Sequence, residues 1–132
     1  MNIIANKNVV KLFLSHFERG NVNKLLDMMS DDATWWVNGK PHLFAFAGLK
    51  TKAEMGSVFD ALFASFDGGL TMELKSSIGE GDMVAVEASS YGVTKGGKHY
   101  QNDYHLLFVL RDMKIVEVRE YTDPMHAVEV LG

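Results

Sequence analysis

The sequence predicts an α+β domain in which helices cover one face of a curved antiparallel sheet. Apolar residues recur at helical spacing through the first half and alternate at strand spacing from Leu70 onward. The links between the later segments are hairpin-sized.

The elements follow in order. Residues 5–18 place Val9, Phe13 and Phe17 in one i, i+4 row with Val10 and Leu14 beside it, and Gly20 is a helix stop. Asn21 caps a shorter helix carrying Leu25, Leu26 and Met29. Asp31 and Asp32 are expected to order the turn after it, ahead of a short strand at Trp35, Trp36 and Val37. The loop NGKPHLFAFAG carries Leu43, Phe44 and Phe46 and is a candidate lid. TKAE at 51–54 has capping-box spacing and opens a third helix, whose apolar face of Met55, Val58, Phe59, Leu62, Phe63 and Phe66 is expected to end at Gly68 and Gly69. Four strands remain, LTMELKSSI, MVAVEASSYGV, HYQNDYHLLFVL and KIVEVREYTD, joined by GEGD, TKGGK and RDM in a meander.

With 132 residues, 47% of them hydrophobic, the chain is long enough for one core and is read as a single domain over 1–132. Its 13 basic and 17 acidic residues make no positive field for nucleic acid or an anionic membrane. Cysteine is absent, which removes disulfides, thiolate metal sites and a thiol nucleophile. The start, MNIIANKNVV, shows neither a secretion signal nor a membrane span, so the cytoplasm is the default expectation. No metal is expected: His16, His42, His99, His105 and His126 share no two-ligand spacing. GEGD and KGGK sit between strands as hairpin turns, so no dinucleotide loop is expected either. Any enzyme here is expected to work without a cofactor.

Two features of the strands need explanation. In HLLFVL both alternating rows are apolar, yet helices cover only one face, which predicts a homodimer packed through the outer face of the sheet. The polar and aromatic row Tyr100, Asn102 and Tyr104 is assigned to that interface. In KIVEVREYTD the row Val116, Val118 ends in a carboxylate, Glu120.

The stretch VVKLFLSHFERGNVNKLLDMMSDDATWWVNG, with the tail KIVEVREYTD, resembles the nuclear transport factor 2-like superfamily, in particular its SnoaL-like polyketide cyclase and ketosteroid isomerase-like branch. The resemblance covers about residues 5–126. It implies a cone-shaped sheet wrapped around three N-terminal helices, the roll also called cystatin-like, with a deep apolar pocket and usually a homodimer. In such a cone Glu120 would project into the pocket beside the walls Val116 and Val118. The same reasoning assigns His105 to the pocket with Leu107 and Val109, and Glu87 and Ser89 with Met83 and Ala85. Glu120, His105 and Glu87 are then the candidate acid/base groups. Phe13, Phe17, Trp35, Val37, Phe59, Val118 and Ser89 are the candidate ligand-binding residues. Apolar walls would raise a carboxyl pKa toward the neutrality that proton transfer requires.

The resemblance also argues against particular reactions. Where ketosteroid isomerases carry a tyrosine, an aspartate base and an acidic donor, this chain has Phe13, Val37 and His105. Where limonene epoxide hydrolases carry an arginine and two aspartates, it has Glu87, Ser89 and Glu120. Structural roles compete at each position: Glu120 pairing with a cation at the rim, Glu87 bonding a backbone amide or Lys98, His105 as a core histidine. Three functions therefore stay open: a lyase, isomerase or cyclase acting on a small apolar molecule, a binding protein using the same pocket, and a dimeric interaction module with a plugged cavity.

Overall fold

The computed structural model describes residues 2–132, so Met1 of the expected domain lies outside the described residues. The elements are α1 (Ile3–Ser15), α2 (Val22–Asp27), β1 (Met29–Val37), β2 (Gly48–Thr51), α3 (Lys52–Ala64), β3 (Phe66–Glu80), β4 (Met83–Thr94), β5 (His99–Arg111), β6 (Lys114–Thr122) and α4 (Pro124–Leu131). They form a six-stranded sheet in the order β2-β1-β6-β5-β4-β3. The meander β3 to β6 is antiparallel as expected, and β1 closes onto β6 in parallel. Among the described residues no helix is long and apolar enough to cross a membrane.

Two elements lie outside the sequence reading. β2 is a four-residue edge strand paired with β1. α4 begins at a proline whose missing N–H costs nothing at that position, and Asp123 caps it by accepting from the amides of Met125 and His126 at 3.0 and 3.3 Å. The three expected N-terminal helices are present, and α4 adds a fourth at the C-terminal end. DDAT is strand, not turn: Asp32 accepts from Ser30 Oγ at 2.8 Å inside β1.

α3 opens with the expected capping box, Thr51 Oγ1 accepting from Glu54 N at 3.2 Å and Glu54 Oε1 from Thr51 N at 2.9 Å. It stops earlier than expected, at Ser65. Phe66 starts β3, and Gly68 and Gly69 make an irregularity between the pairs Asp67↔Val93 and Leu70↔Gly92. Gly69 has φ +97°, and a Cβ there would stand 2.6 Å from the Glu18 carbonyl oxygen. The bulge lets the strand pass close under the loop leaving α1.

The apolar face of α1, Val10, Phe13 and Leu14, is fully buried, and Phe17 is buried in the turn just beyond the helix, which ends at Ser15 rather than residue 18. The inner face of β4 carries Val84, Val86, Ala88 and Ser90, and that of β5 carries Tyr100, Asn102, Leu106, Phe108 and Leu110. These are the rows opposite to those expected. Where both rows are apolar, alternation cannot choose a face, and one residue of slip inverts every assignment. In β6 the pairing shifts between Val109↔Glu117 and Leu110↔Ile115, leaving Val116 unpaired. Ile115 and Val118 are consequently both buried, and Val116 is not the wall it was expected to be.

Candidate active site

Between the inner face of the sheet and the helices lies a cavity of about 70 Å³. Its wall is apolar almost throughout. Phe17 of the turn after α1, Trp35 and Val37 of β1, and Met55 and Phe59 of α3 contribute to it, with Leu106 of β5. Phe44 and Phe46 reach it from the β1–β2 connection, and Ala127 and Leu131 close it from α4. Trp35 and Phe59 meet edge to face with ring centroids 5.6 Å apart, which fixes the indole plane.

Glu120 supplies the carboxyl in this lining. β6 lies beside β1 with Val37 opposite Glu120, and Trp35 Nε1 donates to Glu120 Oε1 at 2.9 Å. Glu120 is half-buried and lines the cavity. Burial raises its pKa from the ordinary 4.5 to about 7, against the opposing pull of the Trp35 hydrogen bond and the Lys50 charge. Lys50 stands opposite Trp35 in the β1–β2 pair and donates to the carbonyls of Phe46 and Ala47, tying the Phe44–Phe46 loop to the sheet. Desolvation lowers the Lys50 pKa, partly offset by Glu120 and Glu54.

Tyr100 and Tyr104 also line the cavity, and their hydroxyl groups lie 3.4 Å apart. Burial raises both phenol pKa values, that of Tyr104 well above its ordinary value. Both belong to the row assigned from sequence to the outer face, and that assignment is corrected here. A signal was present: in His99–Tyr104 the alternate row, His99, Gln101 and Asp103, holds the ionised group and is the one that needs water.

The expected trio does not converge. His105 is exposed on the outer face, opposite Glu87 in the β4–β5 pair. Glu87 is exposed too, and accepts from Ser76 Oγ at 2.9 Å, rather than from a backbone amide or Lys98. Ser89 donates to Asp103 Oδ1 at 2.7 Å on the same outer face. The parity slip moved all three. Of the expected ligand contacts, Phe17, Trp35, Val37 and Phe59 lie on the wall. Phe13 and Val118 sit behind it, fully buried, with Phe13 5.9 Å from Trp35 by ring centroids. A rim ion pair is not what engages Glu120: Arg119 faces the other way, its guanidinium 4.5 Å from the Trp36 ring centre. Among the described residues no group of three or more His, Cys, Asp or Glu could hold a metal ion.

A bent sheet curled around helices over an apolar cavity defines the nuclear transport factor 2-like class of folds, and solved structures of that class superpose on nearly the whole chain. PrhC from Penicillium brasilianum does so with a TM-score of 0.85 at 12% identity, covering 97% of this chain and 86% of its own. TerC, crystallised with polyporic acid, gives 0.81 at 18% identity, with 96% and 97% covered. An NTF2-like protein from Anabaena variabilis gives 0.76 at 26% identity, with 93% of each chain covered. No curated protein matches the chain. Within that class, residues 10–118 match the SnoaL-like domain, and the chain belongs to this family.

Proposed function

We propose that the protein is a cofactor-independent acid/base enzyme, of lyase, isomerase or cyclase type, acting on a small apolar molecule held in the cavity. One observation carries this reading: a carboxyl poised near pH 7 inside an apolar chamber, with one oxygen held by Trp35. A carboxyl of ordinary pKa would be too weak a base, whereas one near neutrality takes a proton as carboxylate and returns it as acid at the same pH. Trp35 orients Oε1 and leaves Oε2 for the substrate. Lys50 limits how far burial raises the pKa. His105 and Glu87 have no part in this reading.

Acetone, a ketone small enough for a cavity of about 70 Å³ and carrying exchangeable C–H protons, serves as the test molecule. The wild type is expected to accelerate exchange of those protons in heavy water, with an inflection near pH 7. Glu120→Gln, which keeps an acceptor for Trp35, is expected to slow exchange on the order of a hundredfold. Equal rates in the two proteins remove Glu120 from the role. Saturable binding without exchange favours the binding-protein reading.

The same proposal includes a homodimer formed through the outer sheet face, where Ile78, Met83 and Tyr121 are exposed and Leu107 and Val109 are half-buried.

A further inference from the structure

Glu120 occupies the last pair of a short seam. β1 runs parallel to β6 through four consecutive pairs, Thr34↔Glu117 to Val37↔Glu120, and the register shifts before them. Beyond Val37 the chain leaves the sheet, turned by Gly39 with φ +111°. A parallel ladder would continue with the carbonyl of residue 38 accepting from Thr122 N–H and the N–H of residue 40 donating to the Thr122 carbonyl. The side chain of Asn38 supplies both bonds instead. Its backbone N–H donates to the Glu120 carbonyl at 3.0 Å. Its Oδ1 then accepts from Thr122 N at 3.0 Å, and its Nδ2 donates to the Thr122 carbonyl at 3.1 Å. Among side chains of this length only asparagine carries both the donor and the acceptor, and the two bonds fix which end of the amide is oxygen. On the other side of β6, Asn102 of β5 holds the N–H and C=O of Asp123 in the same way, at 3.2 and 3.1 Å. Asn102 belongs to the buried core, whereas Asn38 is half-buried.

We infer that Asn38 is a positioning residue: its side chain closes the open end of the β1–β6 seam and thereby keeps the Glu120 carboxyl inside the cavity, beside Trp35. The inference rests on the proposed role of Glu120 and adds the group that holds it in place. Terminal pairs fray where nothing follows them, and parallel pairing is the weaker kind. With the seam open at Val37↔Glu120, water reaches the carboxyl and competes for the Trp35 hydrogen bond that crosses the same seam at 2.9 Å. Losing that bond would raise the pKa and losing desolvation would lower it. Desolvation is the larger of the two, so hydration lowers the pKa on balance. Asn38→Ala keeps the backbone bond to Glu120, removes both side-chain bonds and adds no charge. It also leaves in place the titratable groups around the carboxyl, Lys50 of β2 and the phenols Tyr100 and Tyr104 of β5. The helices present only apolar side chains to the cavity.

The experiment titrates wild type and Asn38→Ala, following the carbon-13 shift of the labelled Glu120 carboxyl and, in parallel, the rate of acetone proton exchange in heavy water. In the wild type both inflections are expected near pH 7. In Asn38→Ala both are expected to fall by roughly one pH unit. A merely structural asparagine would lower the denaturant midpoint and leave the carboxyl where it is. An Asn38→Ala inflection at the wild-type position therefore overturns the inference, as does a wild-type inflection in the ordinary carboxylate range. Should the variant fail to fold, the wild-type Thr122 amide decides, because Asn38 is its acceptor. Hydrogen exchange as slow as in the interior of β6 supports the clamp, and exchange at the rate of a frayed strand end overturns it. The two readings fail separately. A carbon-13 inflection that moves, in a protein that does not exchange acetone, keeps the hold of Asn38 on the carboxyl and sinks the enzyme. Acetone exchange with an inflection that Asn38→Ala does not move keeps the enzyme and removes Asn38.

Discussion

Glu120 joins the chemistry of the site to the stability of the fold. Its pKa rises from 4.5 unfolded to about 7 folded, so between those values the folded protein binds more protons than the unfolded chain. Stability from this group is whole below about pH 4.5 and falls as pH rises toward 7, beyond which the full cost of burying the charge is present. That cost is on the order of 3 kcal/mol. Glu120→Gln is therefore expected to raise the denaturant midpoint at pH 8 and to leave it nearly unchanged at pH 4. An equal shift at both pH values would mean that the carboxyl is not desolvated. The residue itself was legible in the sequence, because a carboxylate closing an apolar strand row needs a reason. Its partners were not. Trp35 is 85 positions away, and only the parallel closure of β1 onto β6 brings the indole to the carboxyl.

The elements show where pattern suffices and where packing decides. The α1 stripe and the Thr51–Glu54 capping box were readable because both are local, set by residues three or four apart. The end of α3 was not. A Gly-Gly pair after an apolar run reads as a helix stop, yet here it shapes the β3 bulge, a choice made by the loop packed above it. The two glycines should respond differently to alanine. At Gly68, with φ +83° and open space around it, Gly68→Ala is expected to cost about 1 kcal/mol from backbone strain alone. At Gly69 the added methyl also meets the Glu18 carbonyl oxygen, so Gly69→Ala is expected to cost at least about 3 kcal/mol. Urea denaturation of the two variants measures the difference. Equal costs would show that β3 and the α1–α2 loop separate easily.

At the scale of the whole molecule, the proposed homodimer is expected to cover the outer face of the sheet. Half-buried Leu107 and Val109 and exposed Ile78, Met83 and Tyr121 lie among charged and polar neighbours, the mixture expected of an interface between copies. A stable pairing needs roughly 1,200 Å² or more of buried surface. Sedimentation velocity at micromolar concentration is expected to show a dimer, and Leu107→Glu to shift it to monomer. A wild-type monomer would sink that arrangement. By itself, the sequence determined the α+β class, the helix faces, the meander and the singular position of Glu120, because each rests on local spacing or on the cost of a charge in an apolar row. The tertiary structure alone decided which face of β4 and β5 turns inward, and with it the removal of His105, Glu87 and Ser89 from the cavity and the arrival of Tyr100 and Tyr104. Period-two alternation leaves the two faces equivalent when both rows are apolar. Only the register of the hairpins and the bulge at Val116, set against the helices, breaks that symmetry.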